Sequence, residues 1–125
     1  MNKNFTLNRF NFSNLISYVQ KTEVLPNILT DDETGIEFYG VNTVSRESLI
    51  CFLTEFNLID NLAQMDSKRK YENQVQYDIK NYQFEPSWAE IATNKVIVGY
   101  VGIYVNADFS LTFLKDNNKW ILVSN

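Results

Sequence analysis

The stretch Lys95-Val96-Ile97-Val98-Gly99-Tyr100-Val101-Gly102-Ile103-Tyr104-Val105 decides the fold class. It is crowded with β-branched and aromatic side chains, which suit a pleated surface. Both of its alternating faces are apolar, the pattern of a central strand covered on two sides. Gly99 and Gly102 do not form a dinucleotide fingerprint; glycines in such a strand mark a bulge or the close packing of a helix or ring. Downstream, Phe109, Leu111 and Phe113 alternate with Ser110 and Thr112, as in a half-buried strand. Asp116-Asn117-Asn118-Lys119 then reads as a hairpin turn, because asparagine tolerates positive φ. A two-residue loop at Asn117-Asn118 places Lys115 opposite Trp120, Leu114 opposite Ile121, Phe113 opposite Leu122 and Thr112 opposite Val123.

Upstream of the strand, Pro86–Thr93 has two readings. Ser87-Trp88-Ala89-Glu90 matches a capping box and would start a short helix. Alternatively Trp88–Ala92 pairs with Val96–Tyr100 across a turn at Thr93-Asn94-Lys95, and the need of the adjacent strand for a neighbour favours this second reading. Earlier still the period changes to that of helices. Ser45 opens the strongest one, with Leu49, Phe52, Leu53, Phe56 and Ile59 on one face and Glu47 in the first turn, where a carboxylate complements the helix dipole. This helix is expected to run to Met65. A further helix, capped by Asp66 or Ser67, would reach about Tyr82 with Tyr71, Val75 and Ile79 on its stripe. Near the start, Leu15, Ile16, Val19 and Val24 predict a helix from about Ser13, capped by Ser13 or Asn14 and ended by Pro26. An acidic turn, Thr30-Asp31-Asp32-Glu33-Thr34-Gly35, and a short strand, Ile36–Tyr39 closed by Gly40, separate the two helical regions. The expectation is one α+β domain over residues 1–125, its N-terminal and central helices packed on one face of a C-terminal antiparallel sheet of about four strands.

The chain has 125 residues, 45% of them hydrophobic and 14% aromatic, enough to bury a stable core without staples. Its single cysteine, Cys51, cannot form an internal disulfide and lies in the apolar run Leu49–Leu53, where a thiol behaves as a small buried hydrophobe. No apolar run approaches the roughly 18 residues of a membrane span. The N-terminal residues lack a signal-peptide pattern, so a cytoplasmic protein without membrane contact is expected.

Charge is segregated along the chain. Between Thr22 and Asp66 lie nine of the fifteen carboxylates and one basic residue, Arg46, a net charge of −8 in a protein whose total is −4. Such a surface attracts a cationic partner and raises association rates. Its candidate contact residues are Asp31, Asp32, Glu33, Glu37, Glu47, Glu55 and Asp60. The competing reading is that this segment pairs with the basic ends of the same chain. Lys68-Arg69-Lys70 is a weak phosphate footprint and reads as a solvated face, so no direct nucleic-acid binding is expected.

Chemistry is harder to find. With no histidine, most nucleophilic triads, most catalytic zinc sites and the commonest general base are removed. Asp31, Asp32 and Glu33 lack the alternate spacing of a calcium loop. No catalytic residue, cofactor or metal is assigned, and binding is favoured over catalysis.

At the C-terminal sheet the string Val98-Gly99-Tyr100-Val101-Gly102, then Val105-Asn106, Phe109, Phe113 and Trp120, resembles the closing strands of small bacterial immunity proteins. These accompany polymorphic or contact-dependent growth-inhibition toxins. The resemblance covers about the last 30 residues and carries no ligand motif. It implies a non-catalytic inhibitor that neutralises one cognate toxin domain, such as a cationic nuclease. The alternative is a small ligand-binding or hydrolytic α+β domain in which Tyr39, Trp88, Tyr100, Tyr104 and Trp120 line an aromatic pocket. A homodimer through the edge or outer face of the sheet is a third arrangement.

Overall fold

The structure of the protein is a computed structural model and describes residues 11–55, 81, 83–117 and 119–124. Its elements are α1 (Ser13–Lys21), β1 (Ile28–Thr30), β2 (Glu37–Tyr39), a 3-10 turn (Val41–Thr43), α2 (Arg46–Glu55), β3 (Phe84–Ala92), β4 (Lys95–Gly102), β5 (Asp108–Asp116) and β6 (Lys119–Ser124). The strands form one six-stranded sheet in chain order. Every neighbouring pair is antiparallel except β2 and β3, which run parallel. The fold class is α+β, as expected, but the sheet has six strands rather than about four. Strand β2 falls within the short strand expected at Ile36–Tyr39, but it joins the sheet instead of standing apart from it, and β1, three residues long, is too short for period-2 alternation to reveal. The parallel pairing follows from the long connection after β2, which contains α2; only a crossover of that length can bring a strand back parallel.

Helix α1 starts where its pattern predicts, but its ends differ. Buried Phe12 occupies the N-cap position without a side-chain cap bond. Asn11 supplies the acceptor instead, its Oδ1 receiving the Ser13 hydroxyl at 2.9 Å and the Ser13 amide at 3.4 Å. The helix stops at Lys21, well before Pro26, because Thr22 is already extended at φ −75 and ψ 143. Val24 lies outside it and is 79% exposed. In α2 the Ser45 hydroxyl accepts the Ser48 amide at 3.1 Å, an N-cap bond to the third helical residue. Leu49, Phe52 and Leu53 are buried on its inner face. Phe56, Ile59, the extension to Met65 and the further helix with its basic triplet lie outside the described residues.

Strand β3 is a strand throughout, so the helical reading of Ser87–Glu90 is overturned. The turn to β4 has two residues rather than three: Ala92 faces Lys95 and Trp88 faces Gly99. Pro86 lies inside the strand, where a register shift between Pro86 and Trp88 accommodates its missing donor. Strand β4 ends at Gly102 rather than Val105. Ile103–Asn106 belong to the bend before β5, closed by the Gly102 amide on the Ala107 carbonyl at 2.9 Å. The last hairpin has the expected pairs Lys115–Trp120, Leu114–Ile121 and Phe113–Leu122, with Asn117 at φ 53. A shift between Thr112 and Phe113 then sets Thr112 opposite Ser124, not Val123.

One sheet face and the two helices enclose the core. Phe38, Ala89, Ile91, Val96, Val98, Tyr100, Leu111, Phe113, Trp120 and Leu122 meet Phe12, Leu15, Val19, Leu49, Phe52 and Leu53 in a single buried cluster. Edge-to-face aromatic contacts cross it, from Phe12 to Phe38 at 5.4 Å, Phe38 to Phe52 at 6.3 Å and Phe52 to Trp120 at 6.0 Å. Each such pair adds ~0.5–1.5 kcal/mol beyond its buried area. The opposite face of β4 is covered only locally: the Trp88 ring lies over Gly99, where an added Cβ would come within 2.1 Å of it, while Val101 is 37% exposed. The expectation of a central strand covered on both sides thus holds toward the helices, while its other face is covered only around Gly99. Among the described residues, no helix is long and apolar enough to cross a membrane.

Candidate functional site

The acidic turn between β1 and β2 is organised around Asp31. Its Oδ2 accepts the Thr34 amide and the Thr34 hydroxyl, both at 2.8 Å. The Asp31 amide donates to the Ile36 carbonyl at 2.9 Å, and the Gly35 amide to the Asp31 carbonyl at 2.7 Å. Aspartate is favoured in such loops because its carboxylate substitutes for backbone acceptors. The result is burial rather than solvation, with Asp31 only 1% exposed. Its second oxygen, Oδ1, is sealed from solvent and receives no hydrogen bond. A buried acceptor left in that state costs ~1–3 kcal/mol, and more when charged. Asp31 and Asp32 line a cavity of about 380 Å³ between α1 and β1, with Asn14 and Tyr18 on the helix side and Pro26 and Ile28 on the strand side.

Asp32 and Glu33 are exposed in the same turn. Glu37 is exposed on β2 and, because its neighbour Phe38 is buried in the core, faces away from the helices. The Tyr39 hydroxyl donates to Glu37 Oε1 at 2.6 Å. That bond, then desolvation and the carboxylate's charge, raise the Tyr39 phenol above its ordinary pKa. Strand β3 adds two residues to this outward face, Trp88 opposite Glu37 and Glu90 opposite Tyr39. Beside them is a groove of about 500 Å³, lined by Tyr39, Glu90, Lys95 and Ile97 among others. Glu90 lay outside the expected contact set, although its alternation with buried Ala89 and Ile91 was a usable signal.

The remaining expected contact residues lie elsewhere. Glu47 is exposed in the first turn of α2, and Glu55 is half-buried at the end of its described part, both in the helix layer across the sheet from Glu37. Asp60 lies outside the described residues. Asp31, Asp32, Glu33 and Glu37 are thus brought together on one hairpin, and Glu47 and Glu55 are not brought to it. Arg46, the one cation of the acidic segment, is also engaged elsewhere. Its guanidinium donates to the Val19 carbonyl at the end of α1 and to the Glu23 carbonyl at 3.1 Å. The first of these bonds satisfies a carbonyl that the end of α1 leaves open, and the two together tie α2 to the end of α1 and the chain after it.

The five aromatic residues of the alternative pocket do not share a cavity. Tyr100 and Trp120 are buried in the core, and Tyr104 is 81% exposed in the bend after β4. Tyr39 and Trp88 are half-buried on the outward sheet face. Burial raises the Tyr100 phenol well above its ordinary pKa, which removes it as a proton donor or acceptor near neutrality. Compared with protein-family models, curated proteins and solved structures, the chain matches none.

Proposed function

We propose that this protein is a non-catalytic inhibitory binding protein, an immunity protein that neutralises a cognate bacterial toxin domain. The docking surface is the outer side of the β1–β2 hairpin with the adjoining part of β3, and the partner surface is cationic, as a nuclease groove is. The observation that carries this reading is the set of exposed carboxylates Asp32, Glu33, Glu37 and Glu90 beside half-buried Tyr39 and Trp88. No lysine or arginine among the described residues makes an ion pair with these four, and Arg46 is held by backbone carbonyls. Aromatic rings beside uncompensated charge suit an interface in which the rings supply buried area and the charges steer encounter.

The test is a toxin domain encoded next to this chain. Co-expression should restore growth, and the purified pair should associate rapidly at low salt. Charge reversal at Glu33 and Glu37 together should slow association several-fold and flatten its dependence on salt, with little change in dissociation. Association rates indifferent to both the substitutions and the salt would reject the acidic docking surface.

A further inference from the structure

The bend between β4 and β5 carries an apolar knob that the core does not use. We propose that Tyr104 in this bend anchors the docking interface, seated in an apolar recess of the toxin domain whose rim is cationic. This inference rests on the acidic docking reading. It extends that surface along the sheet and names the side chain that holds the partner after encounter.

The knob consists of Val101, Ile103, Tyr104 and Val105, all exposed, with Tyr104 at 81%. Single exposed apolar residues are common, but large ones clustered in one place mark an interaction surface. The bend that carries them is closely held. The Gly102 amide donates to the Ala107 carbonyl at 2.9 Å, closing the bend on itself, and the Ile103 amide donates to the Gln83 carbonyl at 2.8 Å, tying it to the turn before β3. Gln83 has φ 59, a left-handed conformation that a glutamine seldom adopts. Backbone of this kind persists where surrounding contacts enforce it, and it gathers at binding sites. Val105 closes on Gly102 so tightly that an added Cβ would come within 2.5 Å of the Val105 carbonyl oxygen. A bend fixed in this way presents the Tyr104 ring with its backbone already in place, and a tyrosine loses few rotamers on binding.

Position and charge select the partner. Tyr100 is buried in the core, so Val101 lies on the outward sheet face. Its neighbours across the sheet are Glu85 on β3 and Asp108 on β5, a carboxylate on either side. On the same face of β4 the Trp88 ring covers Gly99, and Trp88 stands opposite Glu37. The knob therefore continues the surface of Glu37, Glu90 and Trp88 and is flanked by charge of the same sign. Carboxylates beside an apolar tip oppose insertion among anionic lipid headgroups and favour a protein recess ringed by lysine or arginine. The net charge of −4 likewise disfavours a second copy of the same chain. Tyrosine suits the role, since its ring fills an apolar recess while its hydroxyl reaches the wet rim.

The probe is the purified toxin domain encoded next to this chain, with association and dissociation rates measured separately. Tyr104→Ala should raise the dissociation rate at least about thirtyfold, the ratio that marks an interface hot spot, and leave the association rate within about twofold. Its Tm should be unchanged, because the ring is exposed. Tyr104→Phe keeps the ring and should dissociate within about threefold of the unsubstituted protein. Asp108→Lys should instead slow association several-fold with little change in dissociation. An unchanged dissociation rate in Tyr104→Ala would overturn the anchor, and the docking surface would stand without it if charge reversal at Glu33 and Glu37 still slowed association. Tyr104→Phe as damaging as Tyr104→Ala would overturn the apolar recess. A toxin domain that does not associate with the unsubstituted protein would retire both the anchor and the docking surface. Cosedimentation with vesicles of phosphatidylcholine and phosphatidylglycerol, or a dimer in sedimentation velocity, that is lost in Tyr104→Ala would overturn the assignment to a toxin domain.

Discussion

At Cys51 the thiol donates to Glu55 Oε2 at 3.2 Å, one helical turn along α2. The thiol is half-buried rather than the fully buried hydrophobe that its apolar neighbours suggest. Desolvation raises its pKa first, followed by the hydrogen bond to Glu55 and the charge of that carboxylate, with Lys115 acting in the opposite direction. A raised thiol pKa means that the fold prefers the protonated form. Its contribution to stability is full below the ordinary thiol range and is lost as pH rises through the higher folded value. Alkylation by iodoacetamide should therefore be slower than for a free cysteine at pH about 8, where an ordinary thiol begins to ionise. Glu55→Gln, which removes the charge, should accelerate it. A rate equal to that of free cysteine would contradict the geometry. Asp31 teaches a related lesson: the sequence marks it as one carboxylate in an acidic turn, but its burial and its unpartnered Oδ1 arise from the folding of the β1–β2 turn around it.

Among the elements, the β2 end shows how a turn positions a strand. Gly35 and Gly40 both adopt φ +78, a conformation that favours glycine. Around Gly35 an added Cβ meets nothing within 4 Å, whereas at Gly40 it would approach the Ile91 carbonyl oxygen to 2.6 Å. Gly35→Ala should cost about 1–2 kcal/mol for the left-handed backbone alone. Gly40→Ala should cost at least about 1 kcal/mol more, because the obstacle is the backbone of β3 and cannot rotate away. Urea unfolding of the two variants measures the difference, and equal losses would show that β2 and β3 separate freely. The elements best foreseen were those whose signals are local. The Ser45 cap, the Leu49–Leu53 face of α2 and the first three pairs of the β5–β6 hairpin depend on residues within a turn or two of each other. The fourth pair failed because a shift between Thr112 and Phe113 is a property of the sheet as a whole. The β3–β4 register failed by one residue because turn length is set by Ala92 meeting Lys95, which no nearby residue announces.

For the whole molecule, charge distribution is the open variable, and salt reads it. Asp32, Glu33, Glu37 and Glu90 have no ion-pair partner among the described residues, and the net charge of the chain is −4. If carboxylate repulsion dominates, raising ionic strength from about 0.01 M to 0.15 M shortens the Debye length from about 30 Å to about 8 Å and should raise Tm. If instead the acidic segment pairs with the chain's own basic ends, the same salt should lower it. Calorimetric scans across that range separate the two. The composition, the absence of histidine, the aromatic core and the α+β class follow from the amino-acid order, because each depends on residue type or on a period read over a few residues. The outward acidic face of the sheet and the cavity do not follow from it. The parallel β2–β3 pairing sets Glu37 beside Trp88 and Tyr39 beside Glu90 across a long stretch of chain. Residues of α1 and β1 together line the cavity at which Asp31 lies. Both depend on contacts between distant segments, which have no periodicity of their own and exist only once the whole sheet has closed over its core.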